Sequence, residues 1–169
     1  MKMPRVVEPE WLDHLPADDP RAIRSRGDLR RINRLMSATR LLVEALDPLM
    51  AGRRNARIVE LGAGDGNLLL RIAASRANAW PGVSLDLLDM QPIVAPATLA
   101  RYAELGWKAN VVRADVFDWL SDTSVHHEAG AEDAPIIIAN LFLHHFEGQP
   151  LVDLLHGIAA RARAFVCIE

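Results

Sequence analysis

Apolar positions along this chain form short continuous runs separated by stretches at helical spacing, and the alternation begins near residue 56. Ala56, Ile58, Val59 and Leu61 make a β-branched, apolar run that reads as a buried strand. Leu68, Leu69, Ile72 and Ala73 follow at helical intervals. Further strands are predicted over Val83, Leu85, Leu87 and Leu88, over Ala109, Val111 and Val112, over residues 135–139 and over residues 164–169. Helices over residues 68–78, 93–105 and 150–162 fill the gaps. Strands that alternate with helices in this way predict an α/β fold built on a doubly wound, mainly parallel sheet.

Residues 1–55 read differently. Leu29, Ile32, Met36, Val43 and Leu46 form one apolar stripe of a helix. Ser25 with Asp28 resembles a capping box with Asp in place of Glu, and Asp47-Pro48 supplies the expected stop. Trp11, Leu12 and Leu15 precede a polar turn over residues 16–20. The expected organisation is therefore an N-terminal helical cap over residues 1–55 and, in the same domain, a core over residues 56–169. The polar stretch from Ser121 to Ala134 reads as an exposed loop.

The densest chemical signal lies where the first strand ends. Val59 to Asn67 reads V-E-L-G-A-G-D-G-N, with Gly62, Gly64 and Gly66 at alternate positions. Glycines at a strand-to-helix turn let a nucleotide-like ligand lie against bare backbone at the carboxyl edge of a parallel sheet. A dinucleotide fingerprint places a third glycine where this chain has Asn67. Glu60 at the strand end and Asp65 in the loop would repel a pyrophosphate, but they suit a ligand that carries an ammonium and a sulfonium.

The segment resembles the glycine-rich first motif of the class I, Rossmann-like S-adenosylmethionine-dependent methyltransferases. Later positions extend the likeness in the right order across residues 57–169. The second strand ends in Asp89-Met90, the third runs into Ala114-Asp115-Val116-Phe117, and the fourth ends in Asn140-Leu141-Phe142-Leu143-His144-His145-Phe146. The resemblance implies strand order 3-2-1-4-5 and a cofactor site made of Glu60, Gly62, Ala63, Gly64, Gly66, Asp89, Met90, Asp115, Val116 and Asn140. In it, Asp89 would accept from the ribose hydroxyls, Asp115 from the adenine amine, and the Val116 N–H would donate to a ring nitrogen. Met90 would lie on the adenine face. Read singly, Asp89 and Asp115 could instead be helix caps or loop acids, and Met90 a packing residue. His144 and His145 stand where the methyl group would be, so either could take a proton from the acceptor as in-line displacement proceeds. Each could equally be a pocket-wall or capping residue.

Composition narrows the class further. The 169 residues, 50% hydrophobic and 24% charged, suffice for one domain with a sizeable core. Cys167 is the single cysteine, which removes intramolecular disulfides and fits a reducing cytoplasm. No apolar run approaches membrane-spanning length and Met1-Lys2-Met3-Pro4 lacks a signal-peptide core, so neither secretion nor membrane spanning is expected. Net charge of −3 hides an asymmetry: residues 1–57 hold 12 Lys or Arg against 8 Asp or Glu. Among the arginines from Arg21 to Arg40 there is no lysine and no aromatic residue, which favours a solvated helix face over a nucleic-acid surface. Arg24, Arg26, Arg30, Arg31 and Arg34 are candidates for an acidic group on the acceptor. His126-His127-Glu128 and His144-His145 lack the spacing that brings two imidazoles onto one metal, so no metal is expected.

The function expected is methyl transfer from S-adenosylmethionine to a small-molecule acceptor, with oxygen, nitrogen and carbon acceptors all open. The alternatives are an NAD(P)-dependent reductase, which shares the βαβ plan, and a catalytically silent S-adenosylmethionine-binding or interaction protein. The family pattern continues past strand five with two further strands that this sequence lacks. The expectation is an open strand-five edge through which the chain self-associates.

Overall fold

The computed structural model describes residues 19–21, 38–122 and 134–169. The capping box at Ser25 and Asp28, the arginines from Arg24 to Arg34, the first half of the N-terminal apolar stripe and the His126-His127-Glu128 group lie outside the described residues.

Five parallel strands form one sheet in the order β3-β2-β1-β4-β5: β1 (Arg57–Leu61), β2 (Ser84–Asp89), β3 (Lys108–Arg113), β4 (Ile136–Asn140) and β5 (Ala164–Ile168). The β-branched and leucine-rich runs become strands because both faces of the central ones are covered, so every residue on them can be apolar. Ile58, Leu85, Leu87, Ile136 and Ile138 share one face. It packs against α1 (Ala38–Met50), α2 (Asn67–Arg76) and α3 (Pro96–Glu104), through Leu42, Leu46, Leu69, Ile72 and Tyr102. Val59, Leu61, Leu88, Ile137 and Ala139 form the other face, under α4 (Val116–Ser121) and α5 (Gly148–Arg161). The chain runs outward from β1 to β3, then returns to place β4 on the other side of β1. The order reverses between β1 and β4, and in sheets of this kind ligands bind at the carboxyl ends of the strands beside such a reversal.

Two boundaries differ from expectation. The first helix does not stop at Asp47-Pro48 but carries Pro48 inside it and ends at Met50. Proline there forfeits one helical hydrogen bond. The last turn is held nonetheless, because Met50 is buried in the core and the Leu49 carbonyl accepts from Arg163 Nη2 at 2.9 Å. The segment after Asp115, for which no helix is predicted beyond the helix-cap alternative for Asp115 itself, forms α4, a helix too short to show a period in sequence. The other predicted helices and strands are present, with ends shifted by a few residues. Among the described residues no helix is long and apolar enough to cross a membrane.

Candidate functional site

The glycine turn after β1 is left-handed at all three glycines, with φ of 65° at Gly62, 57° at Gly64 and 70° at Gly66. Their surroundings give three separate reasons for glycine. A Cβ on Gly62 would meet the Phe142 ring at 2.5 Å, and one on Gly66 would meet Leu87 Cδ1 at 3.1 Å. A Cβ on Gly64 would meet nothing within 4 Å. Gly64 therefore borders open space on the side where a Cβ would project, whereas the corresponding side of Gly62 and of Gly66 is filled by Phe142 and Leu87.

The segment around β2 and α3 holds the turn at three points. The Ala63 N–H donates to the Leu88 carbonyl at 3.0 Å, and the Gly64 N–H donates to Asp89 Oδ2 at 2.9 Å. The buried Tyr102 hydroxyl donates to the Gly66 carbonyl at 2.7 Å, its ring stacked on Trp107 and Trp107 on Trp80. Asp89 also accepts from the Gln91 N–H through Oδ1. It is thus a brace between loop and strand, oriented with its carboxylate at the turn.

Three carboxyl groups converge here. Asp65 Oδ1 accepts from the Asn67 N–H at the start of α2. Glu60 is 3% exposed, and its Oε2 has no hydrogen-bond partner. Burial, then the charges of Asp65 and Asp89, push the Glu60 carboxyl up to about 8. A buried polar atom without a partner is costly unless a ligand supplies one.

Asp115 is the N-cap of α4 and accepts from the Phe117 and Asp118 N–H groups, both through Oδ1. The helix-cap alternative is thus realised in geometry, while Oδ2 and the N–H of the buried Val116 take no part in those two bonds. Met90 is 65% exposed, an unusual setting for a thioether, and its carbonyl accepts from Arg113 Nε. Asn140 ends β4 on the same edge.

Beyond Asn140 the chain turns through Leu141, whose φ of 50° is strained for a branched side chain. This turn lays Phe142 over Gly62 and starts a 3-10 turn over Leu143–His145. Glu169 follows β5 and fastens the turn: its Oε1 accepts from the Phe142 and Leu143 N–H groups at 3.0 and 2.7 Å. Its Oε2 lies 3.0 Å from His144 Nδ1. Partial burial would raise the Glu169 carboxyl, but the Leu143 N–H, His144 and the Phe142 N–H overcome it and hold the group below its ordinary value. Glu169 is therefore a carboxylate at neutral pH. It favours the His144 tautomer with the proton on Nδ1 and a basic lone pair on Nε2. His145 instead meets the Phe142 ring edge-on and lies against His144, ring centroids 4.3 Å apart.

No protein-family model matches the sequence, and no curated protein matches it. Solved structures do. LaPhzM superposes with a TM-score of 0.50 at 24% identity, over 90% of this chain and 42% of its own. The plantazolicin methyltransferase BpumL, solved in complex with SAH, gives a TM-score of 0.49 at 19% identity, over 86% of this chain and 50% of its own. The fold is that of the class I methyltransferases. This chain spans half or less of the length of these two structures.

Within that fold, Glu60 in β1 and Asp89 at the end of β2 flank the turn that carries Gly62, Ala63, Gly64 and Gly66, Asp115 and Val116 stand at the head of α4, Asn140 ends β4, and His144 and His145 follow it. Tyr102 and Glu169 join them without any signal in the sequence, and Phe142 with only its place in the motif after β4. Among the described residues no three His, Cys, Asp or Glu side chains converge as a metal site.

Proposed function

We propose that this chain binds S-adenosylmethionine at the glycine turn and directs methyl transfer to a small-molecule acceptor. The observation that carries the reading is the pairing of open backbone at Gly64 with a buried, unpartnered carboxyl at Glu60. The first is a cradle for a nucleoside-bearing chain, and the second wants a donor, which the ligand's ammonium provides. A nicotinamide dinucleotide fits less well, because Glu60, Asp65 and Asp89 would stand against its pyrophosphate.

When bound, S-adenosylmethionine supplies an electrophilic methyl group on a sulfonium centre. The residues of this chain do the rest. Asp89 orients the ribose while bracing the loop, Met90 offers an apolar surface to the base, and the Val116 N–H and Asp115 Oδ2 are available to its polar edge. His144, positioned by Glu169, accepts the proton of an acceptor hydroxyl or amine through Nε2 as the new bond forms. Phe142, Phe146 and Phe117, in edge-to-face contact at 5.3 and 5.6 Å between centroids, wall the region against water.

Titration calorimetry with S-adenosylhomocysteine and NAD tests the cofactor. S-Adenosylhomocysteine should bind and NAD should not. Asp89→Ala should weaken S-adenosylhomocysteine by about 1.5–3 kcal/mol, the range of hydrogen bonds to a charged group. Unchanged affinity in Asp89→Ala would remove this pocket from consideration. Turnover against a panel of hydroxyl and amine acceptors separates an enzyme from a silent binding protein.

A further inference from the structure

Glu60 is the only carboxyl group among the buried residues described, and its setting disfavours its charged form in the free protein. It projects from β1 in register between Leu87 and Ile138, on the face that also holds Ile58, Leu85 and Ile136. α1 and α2 meet this face with Leu42, Leu46, Leu69 and Ile72. On those helices Arg40 pairs with Glu44 and Arg76 with Asp47, and the charge of Arg71 does not act on Glu60. From α3 comes the Tyr102 hydroxyl, whose proton is committed to the Gly66 carbonyl. The ionisable groups that act on Glu60 from the loop and from β2 are Asp65 and Asp89, both of its own sign. A desolvated carboxyl beside two carboxylates, with no donor to its Oε2, stays protonated.

We propose that the free protein holds Glu60 as the neutral acid and that arrival of the ligand's ammonium ionises it, so that each binding event expels one proton to solvent. The inference rests on the S-adenosylmethionine reading of the site. The ammonium gives Oε2 the donor it lacks and offsets the charges of Asp65 and Asp89, and this attraction outweighs the burial that kept the group neutral. The bond broken is the O–H of Glu60, and buffer takes the proton. The device makes affinity a function of pH without any histidine. Binding strengthens as pH rises and levels off once Glu60 ionises unaided.

Calorimetric titration of the whole chain with S-adenosylhomocysteine, at pH 7 in phosphate, HEPES and Tris, counts protons from the dependence of heat on buffer. About one proton should be released per ligand, and affinity should rise about tenfold per pH unit until it flattens near the Glu60 value of about 8. Glu60→Gln should bind with no proton release and no such pH dependence. Zero release in the wild type, or release that persists in Glu60→Gln, overturns the inference. Failure of S-adenosylhomocysteine to bind at all overturns the cofactor reading instead, and the free protein then decides about Glu60. The infrared difference spectrum of wild type minus Glu60→Gln at pH 7 should show the carbonyl band of an un-ionised carboxyl group, and its absence overturns the inference. Should Glu60→Gln not fold, the wild-type protein suffices. Its proton count and the loss of that band on raising pH then support the inference, and the absence of either overturns it.

Discussion

Replacing His144 with alanine should lower kcat by about 10²-fold or more while S-adenosylhomocysteine affinity stays within about twofold of wild type, the signature of a lost proton acceptor. The argument is the Glu169–His144 pair. A neutral imidazole is an effective base only if the right nitrogen is presented and the imidazolium that forms is stabilised, and a carboxylate on Nδ1 does both. Glu169→Gln keeps the size of the side chain but removes the charge, so it should lower kcat by roughly tenfold or more without matching the loss in His144→Ala. His145→Ala removes a ring contact with Phe142 and a neighbour of His144, and its effect on kcat should be much smaller. An unchanged rate in His144→Ala would leave methyl transfer to alignment of the reactants alone.

The pair illustrates which parts of the site are legible in the chain. Gly62, Gly64 and Gly66 are legible because alternate glycines between a strand and a helix have few other uses, and Asp89 because it closes the next strand. Glu169 carries no such signal. One acid after a strand has no period, and its partners Phe142, Leu143 and His144 lie 25 to 27 residues earlier, joined to it only by the pairing of β4 with β5. Tyr102 is silent for a related reason. A tyrosine on an apolar helix face reads as core, which it is, and only the fold reveals its hydroxyl on the Gly66 carbonyl. Asp115 shows the reverse: the acid is conspicuous in sequence, but the structure gives one of its oxygens to the α4 backbone. The strands and their two buried faces are recoverable from the apolar runs and strand order only from what the family resemblance implies, whereas Pro48 misleads because local propensity gives way to the burial of Met50.

The three glycines of the turn should respond unequally to alanine. Both Gly62 and Gly64 have positive φ, so an alanine at either incurs about 1–2 kcal/mol of backbone strain. At Gly64 nothing lies within 4 Å of the new methyl, and strain is the whole cost to the free protein. At Gly62 the methyl would stand 2.5 Å from Phe142 Cδ2. Overpacking adds about 1–3 kcal/mol to the strain there, unless Phe142 moves. Since each kcal/mol lowers Tm by about 2–4 °C in a chain of this size, Gly62→Ala should melt well below Gly64→Ala. Ligand affinity should follow the opposite logic. Gly64→Ala places its methyl in the open space where the ligand is proposed to lie, and should weaken S-adenosylhomocysteine despite a nearly intact fold. Gly62→Ala acts through Phe142, which the strained Leu141 turn holds in line with Glu169 and His144. Any escape of Phe142 drags that turn with it, so the variant that folds should lose kcat more than affinity. Thermal melts and calorimetry on the two variants check this directly, and equal losses of affinity in both would show that the turn acts as one rigid unit.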